Sequence, residues 1–488
     1  MGTRLSQPVP LEARCELKRN NIVNFFDESR KSFFVEHAGD FVITNSTVDH
    51  LWKSVKKMDA AVCYKFREDE TYLSALDFVA GMFDPVFRLG EMGFYDILGE
   101  VVIKTSSGVI DKMRGLPKKE DCLKANLPYT EYVNPDTDEV PIWQVSGKVE
   151  VKERSSYIGE TKQRTFIIEP FHHLWMTKRF YGLQNKGLMM QGWSYYGFNP
   201  YEGGVNSLAR SLLKHNRFWE LDGKGWDRLM AMMVEIYQLR NRYREPSKEL
   251  EWTYKWLINS VLQLPNGDVV FKSWGNNSGS GNTTGDNIIG MSIVIAMVLR
   301  KLGLDPSEFD KCVTVAIFGD DVVGSDSIPC SDEELEKAFR HVFTDLFGIV
   351  LDPFIISRDL ADMHFLGFKF AQCEKNVWVP QYPLEKLCAS VLGNAKSMDV
   401  RAEVSKLSSL MLMSAGHGPD VFNFFREALL DVVTCSADPY CETLRKHNLD
   451  VVIPKYSAVL DWYCGFEGPK ASDEGTRIGL FLRFADLK

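Results

Sequence analysis

The chain has 488 residues, 45% of them apolar and 25% charged, the composition of an ordinary globular protein with room for several subdomains around a large core. A formal charge of −9 taken alone argues against a nucleic-acid binder, but binding depends on local patches, and a basic groove on one face remains compatible with it. No apolar run approaches the roughly 18 residues of a membrane-crossing helix. The ten cysteines include no C-x-x-C pair and the nine histidines no H-E-x-x-H, which argues against a zinc ribbon, a disulfide framework and a histidine-based metal site.

The N-terminal stretch "MGTRLSQPVPLEARC" lacks the apolar core of a secretory signal, and fits the loose M-G-x-x-x-S acylation pattern through Gly2 and Ser6. Up to about residue 210, short helices, strands and loops alternate; "SVKKMDAAVCYKF" and "ALDFVAGMFDPVFRLG" are partly amphipathic. From Lys148 to Lys186 there are eight Lys or Arg against four Asp or Glu. Within that stretch Lys152, Arg154, Lys162 and Arg164 recur on a strand-turn-strand pattern that runs into the apolar "TFIIE". Cations held there can neutralise an incoming triphosphate, and a solvated charged hairpin is the plainer alternative.

In "NRFWELDGKGWDRLMAMMVEIYQLRNRY" the period changes: a strand enters Asp222, a glycine turn follows, and helical spacing begins at Asp227. "SGSGNTTGDNIIGMSIVIAMVLRKLG" is a Gly/Ser/Asn-rich loop entering a long apolar helix, with Asp286 or Thr284 available to cap its start. Glycines such as Gly279 let backbone approach a ligand. Thr283 and Asn287, four apart on a helix, face the same way, and an asparagine amide can both donate to and accept from a ribose hydroxyl.

"AIFGDDVVGSD" then sets Asp320 and Asp321 between two apolar runs, at the tip of what reads as a buried hairpin. Gly-Asp is good turn chemistry, and two adjacent carboxylates also suit a bound cation that offsets their repulsion. If the Asp222 strand pairs with this hairpin, three carboxylates meet at one sheet end. A helix "SDEELEKAFRHVFTDLFG" and strand-like "MHFLGFKF" come after it, and from about Pro383 the chain reads as mostly helical. The expected class is α+β, with helices on one face of a small antiparallel sheet.

Taken together in this order, these segments resemble the RNA-dependent RNA polymerases of positive-strand RNA viruses, over roughly residues 100 to 370. "TSSG", with Thr105, Ser106 and Gly108, looks like the template-entry loop. The run ending "KQRTFIIE" looks like the segment that holds nucleotide triphosphate. "DGKGWD" matches the D-x4-D block, "SGSGNTTGDN" fits S-G-x3-T-x3-N at each specified position, and "FGDD" is the Gly-Asp-Asp block. "FLGFKF", with Phe365, Leu366 and Gly367, resembles the strand that grips the primer. "GWSYYGFNPYEGG" is similar to astrovirus polymerases and "TSSG" to picornaviruses, which points to that combined group.

The resemblance implies a right hand: an N-terminal extension and fingers over 1–215, fingers again over 246–275, palm over 216–245 and 276–382, thumb over 383–488. It implies Mg²⁺, or Mn²⁺ in its place, held mainly by Asp222 and Asp320 with Asp321 secondary. Asp227, Ser278, Gly279, Thr283 and Asn287 would contact the nucleotide and its ribose, with Lys152, Arg154, Lys162 and Arg164 on its phosphates. The implied partners are an RNA template, a primer or product strand and NTPs, with a protein primer and other viral replication proteins as further candidates. The implied location is the host cytoplasm, at membrane-associated replication complexes.

One departure concerns the lysine that the family often places after the helix following Gly-Asp-Asp, as general acid for pyrophosphate. Here Ile356 stands near that position and Arg358 two residues on, and arginine's pKa is too high for a proton donor. His341, His364, water or no general acid at all remain as alternatives. Competing readings are a reverse transcriptase or palm-type cyclase, disfavoured by Gly319 and Asn287, and an inactive RNA-binding scaffold, disfavoured by the retained acidic residues.

Overall fold

The computed structural model describes residues 17–44, 48–56, 63–125, 137–148, 150–155, 165–373, 376–395, 398–434, 451–465 and 476–478. Gly2, Ser6, Lys162 and Arg164 lie outside them.

Asp27 caps helix α1 (Glu28–His37) by accepting from the Arg30 N–H, 2.8 Å away. Between it and residue 168 lie the short strands β1 (Phe41–Ile43), β2 (Ile142–Gly147), β3 (Val151–Glu153) and β4 (Thr165–Ile168). β1 pairs with β3, whereas β4 pairs with β2. The expected strand-turn-strand of the basic run is therefore two strands in different sheets. β4 buries Ile167 in the main core, while β3 is one half-buried valine followed by two charges, and each takes a different partner.

After helix α2 (Phe171–Gly187) the chain forms β5 (Arg217–Gly223), the short α3 (Trp226–Leu229) and α4 (Met233–Asn241). The apolar spacing predicts one helix from Asp227 onward, and the structure has two. "LMAMM" carries more apolar residues than one helix face can bury, and the break lets the Met230 and Met232 sulfurs both pack beside Gly290. Strands β6 (Ser260–Gln263) and β7 (Val269–Lys272) extend the first sheet, in the order β4-β2-β6-β7, with β2 and β6 parallel.

Helix α5 (Thr283–Lys301) is buried along nearly its whole length. No single helix among the described residues is long and apolar enough to cross a membrane. Asp286 does not cap this helix. Its carboxylate lies inside the protein, accepting from Arg240 Nη1 at 2.5 Å and from the Tyr237 hydroxyl at 2.7 Å. Thr284 makes no cap either, since the N-cap residue is Asn282 and its side chain makes no capping bond.

Strands β8 (Val313–Phe318) and β9 (Asp321–Asp326), helix α6 (Asp332–Arg340) and strand β10 (Leu351–Ser357) complete an antiparallel sheet ordered β10-β5-β9-β8. Alternation along the strands sends Trp219, Leu221, Val315, Ile317 and Val322 into the main core with α5. Phe218, Ala316 and Val323 point the other way, into a separate cluster with Leu208 and Leu212 of helix Gly204–Leu212 and with Phe365, Phe368 and Phe370. Both faces are covered, not one, in keeping with the mostly apolar "VTVAIF". Gly324 lies opposite Trp219, where a Cβ would come within 2.2 Å of the indole.

The second covering layer is the small sheet β11 (His364–Phe365), β12 (Phe368–Cys373) and β13 (Val377–Gln381). Helices α7 (Leu384–Leu392), α8 (Val400–Met413) and α9 (Pro419–Thr434) then share a second core with Ile22, Phe26 and Phe34. The N-terminal segment is fastened there: Lys18–Arg19 pairs with Gly393–Asn394, and the Glu403 carboxylate accepts from the Asn21 and Ile22 N–H groups at 3.1 and 3.0 Å. From there the chain runs through α1 to β1, which pairs with β3.

Candidate active site

The β8–β9 turn has two residues, Gly319 and Asp320, between the paired Phe318 and Asp321. Gly319 sits at φ +69°, which a primed two-residue hairpin needs at its first position and which other residues rarely adopt. Val322 pairs with Leu221 of β5. One step further along that register, Asp321 comes opposite Asp222, both on the face away from the Leu221 and Val322 side chains. Asp222 and Asp321 are exposed and Asp320 is half-buried in the turn. Carboxylates from β5, from β9 and from the β8–β9 turn thus collect at one sheet end.

No three His, Cys, Asp or Glu side chains among the described residues form a ready cage for a metal ion. The donors at the sheet end are hard carboxylate oxygens. They fit Mg²⁺, which is commonly held by one or two carboxylates while substrate phosphates and water fill its octahedron.

Beside this end, Asp227 at the start of α3 accepts two side-chain hydrogen bonds. Ser278 Oγ donates to Oδ2 at 2.6 Å, and Asn287 Nδ2 to Oδ1 at 2.5 Å. The D-x4-D block and the Gly-rich loop, which sequence could only set side by side, therefore meet through one carboxylate. Thr283 closes the loop on itself, its hydroxyl donating to the Asn277 carbonyl at 2.5 Å.

The same loop is pinned from its other side. Gly279 lies so close to β4 that a Cβ would stand 2.2 Å from the Ile167 carbonyl oxygen. The buried Glu169 accepts from the Gly281 N–H at 2.9 Å, from His173 Nδ1 at 2.6 Å and from the Thr177 hydroxyl at 2.6 Å. Gly108, at φ +114°, packs on Pro170, and the Ser107 carbonyl accepts from the Phe171 N–H at 2.8 Å. Thr105 Oγ1 accepts from the buried Lys119 at 2.8 Å, and Ser106 bridges to Lys118. The "TSSG" loop, the end of "RTFIIEP" and the "SGSGN" loop are thus contiguous.

Gly279→Ala is expected to push the loop off Ile167 and pull Ser278 from Asp227, cutting kcat/KM for nucleotide by roughly tenfold, about the net worth of one hydrogen bond. Single-nucleotide incorporation measures it, and an unchanged value would mean the loop position does not matter.

The basic run is reached only in part. Arg154 Nε donates to Asp40 at 2.9 Å and Lys152 lies 3.4 Å from Glu150. In the primer-grip segment, Leu366 and Gly367 form a tight turn, both at positive φ, and Phe365 is buried among Tyr195, Phe198 and Phe368. Glu220, two residues before Asp222, accepts from the His364 N–H and sits 3.1 Å from its Nδ1. Ile356 lies within β10 opposite Trp219, Arg358 donates to Asp332 at 2.8 Å and His341 sits 2.9 Å from Asp345.

Three contributors escape sequence reading. Glu169 looks like the end of an apolar strand, Asn276 like loop filler, and Lys272 like a solvated charge on a strand. Only their partners reveal them.

A family model described as "Viral RNA-dependent RNA polymerase" matches residues 122–433. Among curated relatives, the "Genome polyprotein" of Triticum mosaic virus is 24% identical over 363 residues, 72% of this chain and 11% of that protein. The "Genome polyprotein" of Ryegrass mosaic virus is 21% identical over 424 residues, 80% of this chain and 13% of that protein. The "Non-structural polyprotein 1AB" of Human astrovirus-4 is 28% identical over 232 residues, 45% of this chain and 16% of that protein. The chain therefore spans a small part of the relatives it matches.

Proposed function

The chain belongs to the viral RNA-dependent RNA polymerases, RNA-directed nucleotidyltransferases, and from that premise we propose how its own residues carry out nucleotide addition. The reading rests on one observation above the others: the register that sets Asp222 beside the Gly319–Asp320 turn, next to an Asp227 already gripped by Ser278 and Asn287.

Asp222 and Asp320, with Asp321 in support, would hold Mg²⁺ or Mn²⁺. Such ions, when bound, lower the pKa of an RNA 3′-hydroxyl and offset charge on the departing pyrophosphate. Asp227 offers an acceptor and Asn287 a donor to the 2′-hydroxyl of the incoming ribose, with Ser278 fixing the carboxylate between them. Glu169 holds the loop to the strand that follows the basic run. On this reading Lys152, Arg154, Lys162 and Arg164 neutralise the triphosphate, the loop at Thr105–Gly108 guides the template, and the hairpin at Phe365–Gly367 steadies the primer.

The division into fingers, palm and thumb stays part of the proposal. It is supported by the core shared by α7 to α9 being separate from the main core around α5. A protein primer, further viral replication proteins and a place at membrane-associated complexes in the host cytoplasm belong to the same reading.

The ribose pocket is the most accessible part to test. A site that hydrogen-bonds a hydroxyl loses discrimination by about 10²-fold or more when its partner group is removed. On a poly(A) template with oligo(U) primer, Asn287→Ala is expected to narrow the preference for UTP over dUTP by that amount. An unchanged ratio of kcat/KM values would remove Asn287 from sugar selection.

A further inference from the structure

The geometry points to Lys272 as the positioning residue for ribose selection, holding the start of the 275–281 loop so that Asn287 presents its amide in one orientation. This rests on the ribose reading of Asp227 and Asn287.

Lys272 is the last residue of β7, paired with Ser260 of β6, and its side chain is only 6% exposed. A lysine ammonium buried on a strand is costly unless its donors and charge find partners. Here Nζ donates to the Gly275 carbonyl at 2.8 Å. Gly275 sits at φ +77°, so the chain turns sharply just at the tethered carbonyl.

Asn276, the residue after this tether, connects it to the ribose pocket. The Asn276 N–H donates to the Asp227 carbonyl at 2.6 Å, and its side-chain Nδ2 donates to the Thr283 carbonyl at 3.1 Å and to Asn287 Oδ1 at 3.0 Å. Because Asn276 occupies the oxygen of the Asn287 amide, the nitrogen must face Asp227, where it donates to Oδ1. The next residue is anchored from the same strand pair, with Asn277 Nδ2 donating to Ser260 Oγ at 2.7 Å.

A chain of contacts therefore runs from Lys272 through Gly275 and Asn276 to Asn287 and Asp227. Electrostatics agrees with it: burial pushes the Lys272 ammonium down to about 7, while the Asp227 carboxylate opposes that shift. The carboxylate of the ribose pocket thus favours the charged form of Lys272.

The alternative is a staple that only stabilises the loop. A staple would change UTP and dUTP use alike, whereas a positioning residue changes their ratio. The test is single-nucleotide incorporation with UTP and with dUTP by Lys272→Met, which keeps length and apolar bulk but loses the donor and the charge. The expected result is a UTP-to-dUTP ratio of kcat/KM lowered roughly tenfold, mainly through a higher KM for UTP. Asn276→Ala should lower it by a similar factor, and the double variant should be no worse than either single, since both break one chain of contacts.

If Lys272→Met does not fold, Asn276→Ala decides alone, and an unchanged ratio there overturns the proposal. Asn287→Ala in the same assay separates the two claims. Should it leave the ratio untouched, the ribose reading itself fails. Should it collapse the ratio while Lys272→Met and Asn276→Ala keep the wild-type value, only the role of Lys272 is overturned.

Discussion

Asp320→Ala is expected to lower nucleotide addition by about a thousandfold or more while leaving the fold intact, and Asp222→Ala to do the same. Ions held at such a site supply several kcal/mol of charge stabilisation, and each 1.36 kcal/mol is about tenfold in rate. The structural side points the other way. Asp222 is exposed and Asp320 lies in a turn whose geometry is set by Gly319, so neither side chain belongs to a core. Removing one also relieves repulsion between neighbouring negative charges. Both variants should therefore melt within about 2 °C of the parent. Substantial activity in either would place the chemistry elsewhere, and a large loss of stability would make its absence uninformative.

The largest expected effect on stability lies one layer deeper. Arg240 and Asp286 are both fully buried, and Arg240 also donates to Gln184 Oε1 at 3.1 Å and Asn185 Oδ1 at 2.5 Å. Burial pushes the Asp286 carboxyl above its ordinary range, and the Arg240 guanidinium pulls it back. Arg240→Leu removes that counterweight and strands a buried carboxylate, at a cost of about 3–5 kcal/mol. Urea unfolding should show it as a lower midpoint. Replacing both partners by apolar residues should recover much of the loss, because the second change removes the stranded charge. A loss below about 1 kcal/mol for Arg240→Leu would mean that water reaches the pair.

These residues also show what a sequence reveals. The Gly319–Asp320 turn is legible because its constraint is local: a glycine at positive φ between two apolar strands. The pairing of Asp222 with the hairpin is legible only as a condition, since register needs both strands in place. Asp286 reads wrongly as a helix cap because its partner Arg240 lies 46 positions earlier, and propensity near a helix start says nothing about a distant cation. Lys272 is invisible for the same reason, as a charge on a short strand ordinarily faces water. The two-sided burial of the β5–β9 sheet is signalled by "VTVAIF", but what covers the second face is assembled from helix 204–212 and from Phe365, Phe368, Phe370 and Trp378, far apart along the chain.

The central claim is that this sheet end joins nucleotides under the direction of an RNA template. The most direct test is extension of an RNA primer annealed to a mixed-sequence RNA template, one NTP at a time, with Mg²⁺ and then with excess EDTA. The account expects the primer to grow only with the NTP complementary to the next template base, with growth stopping when the metal is removed. Growth indifferent to the template base, or no growth with the matched NTP by a folded protein that binds the primed template, would contradict it.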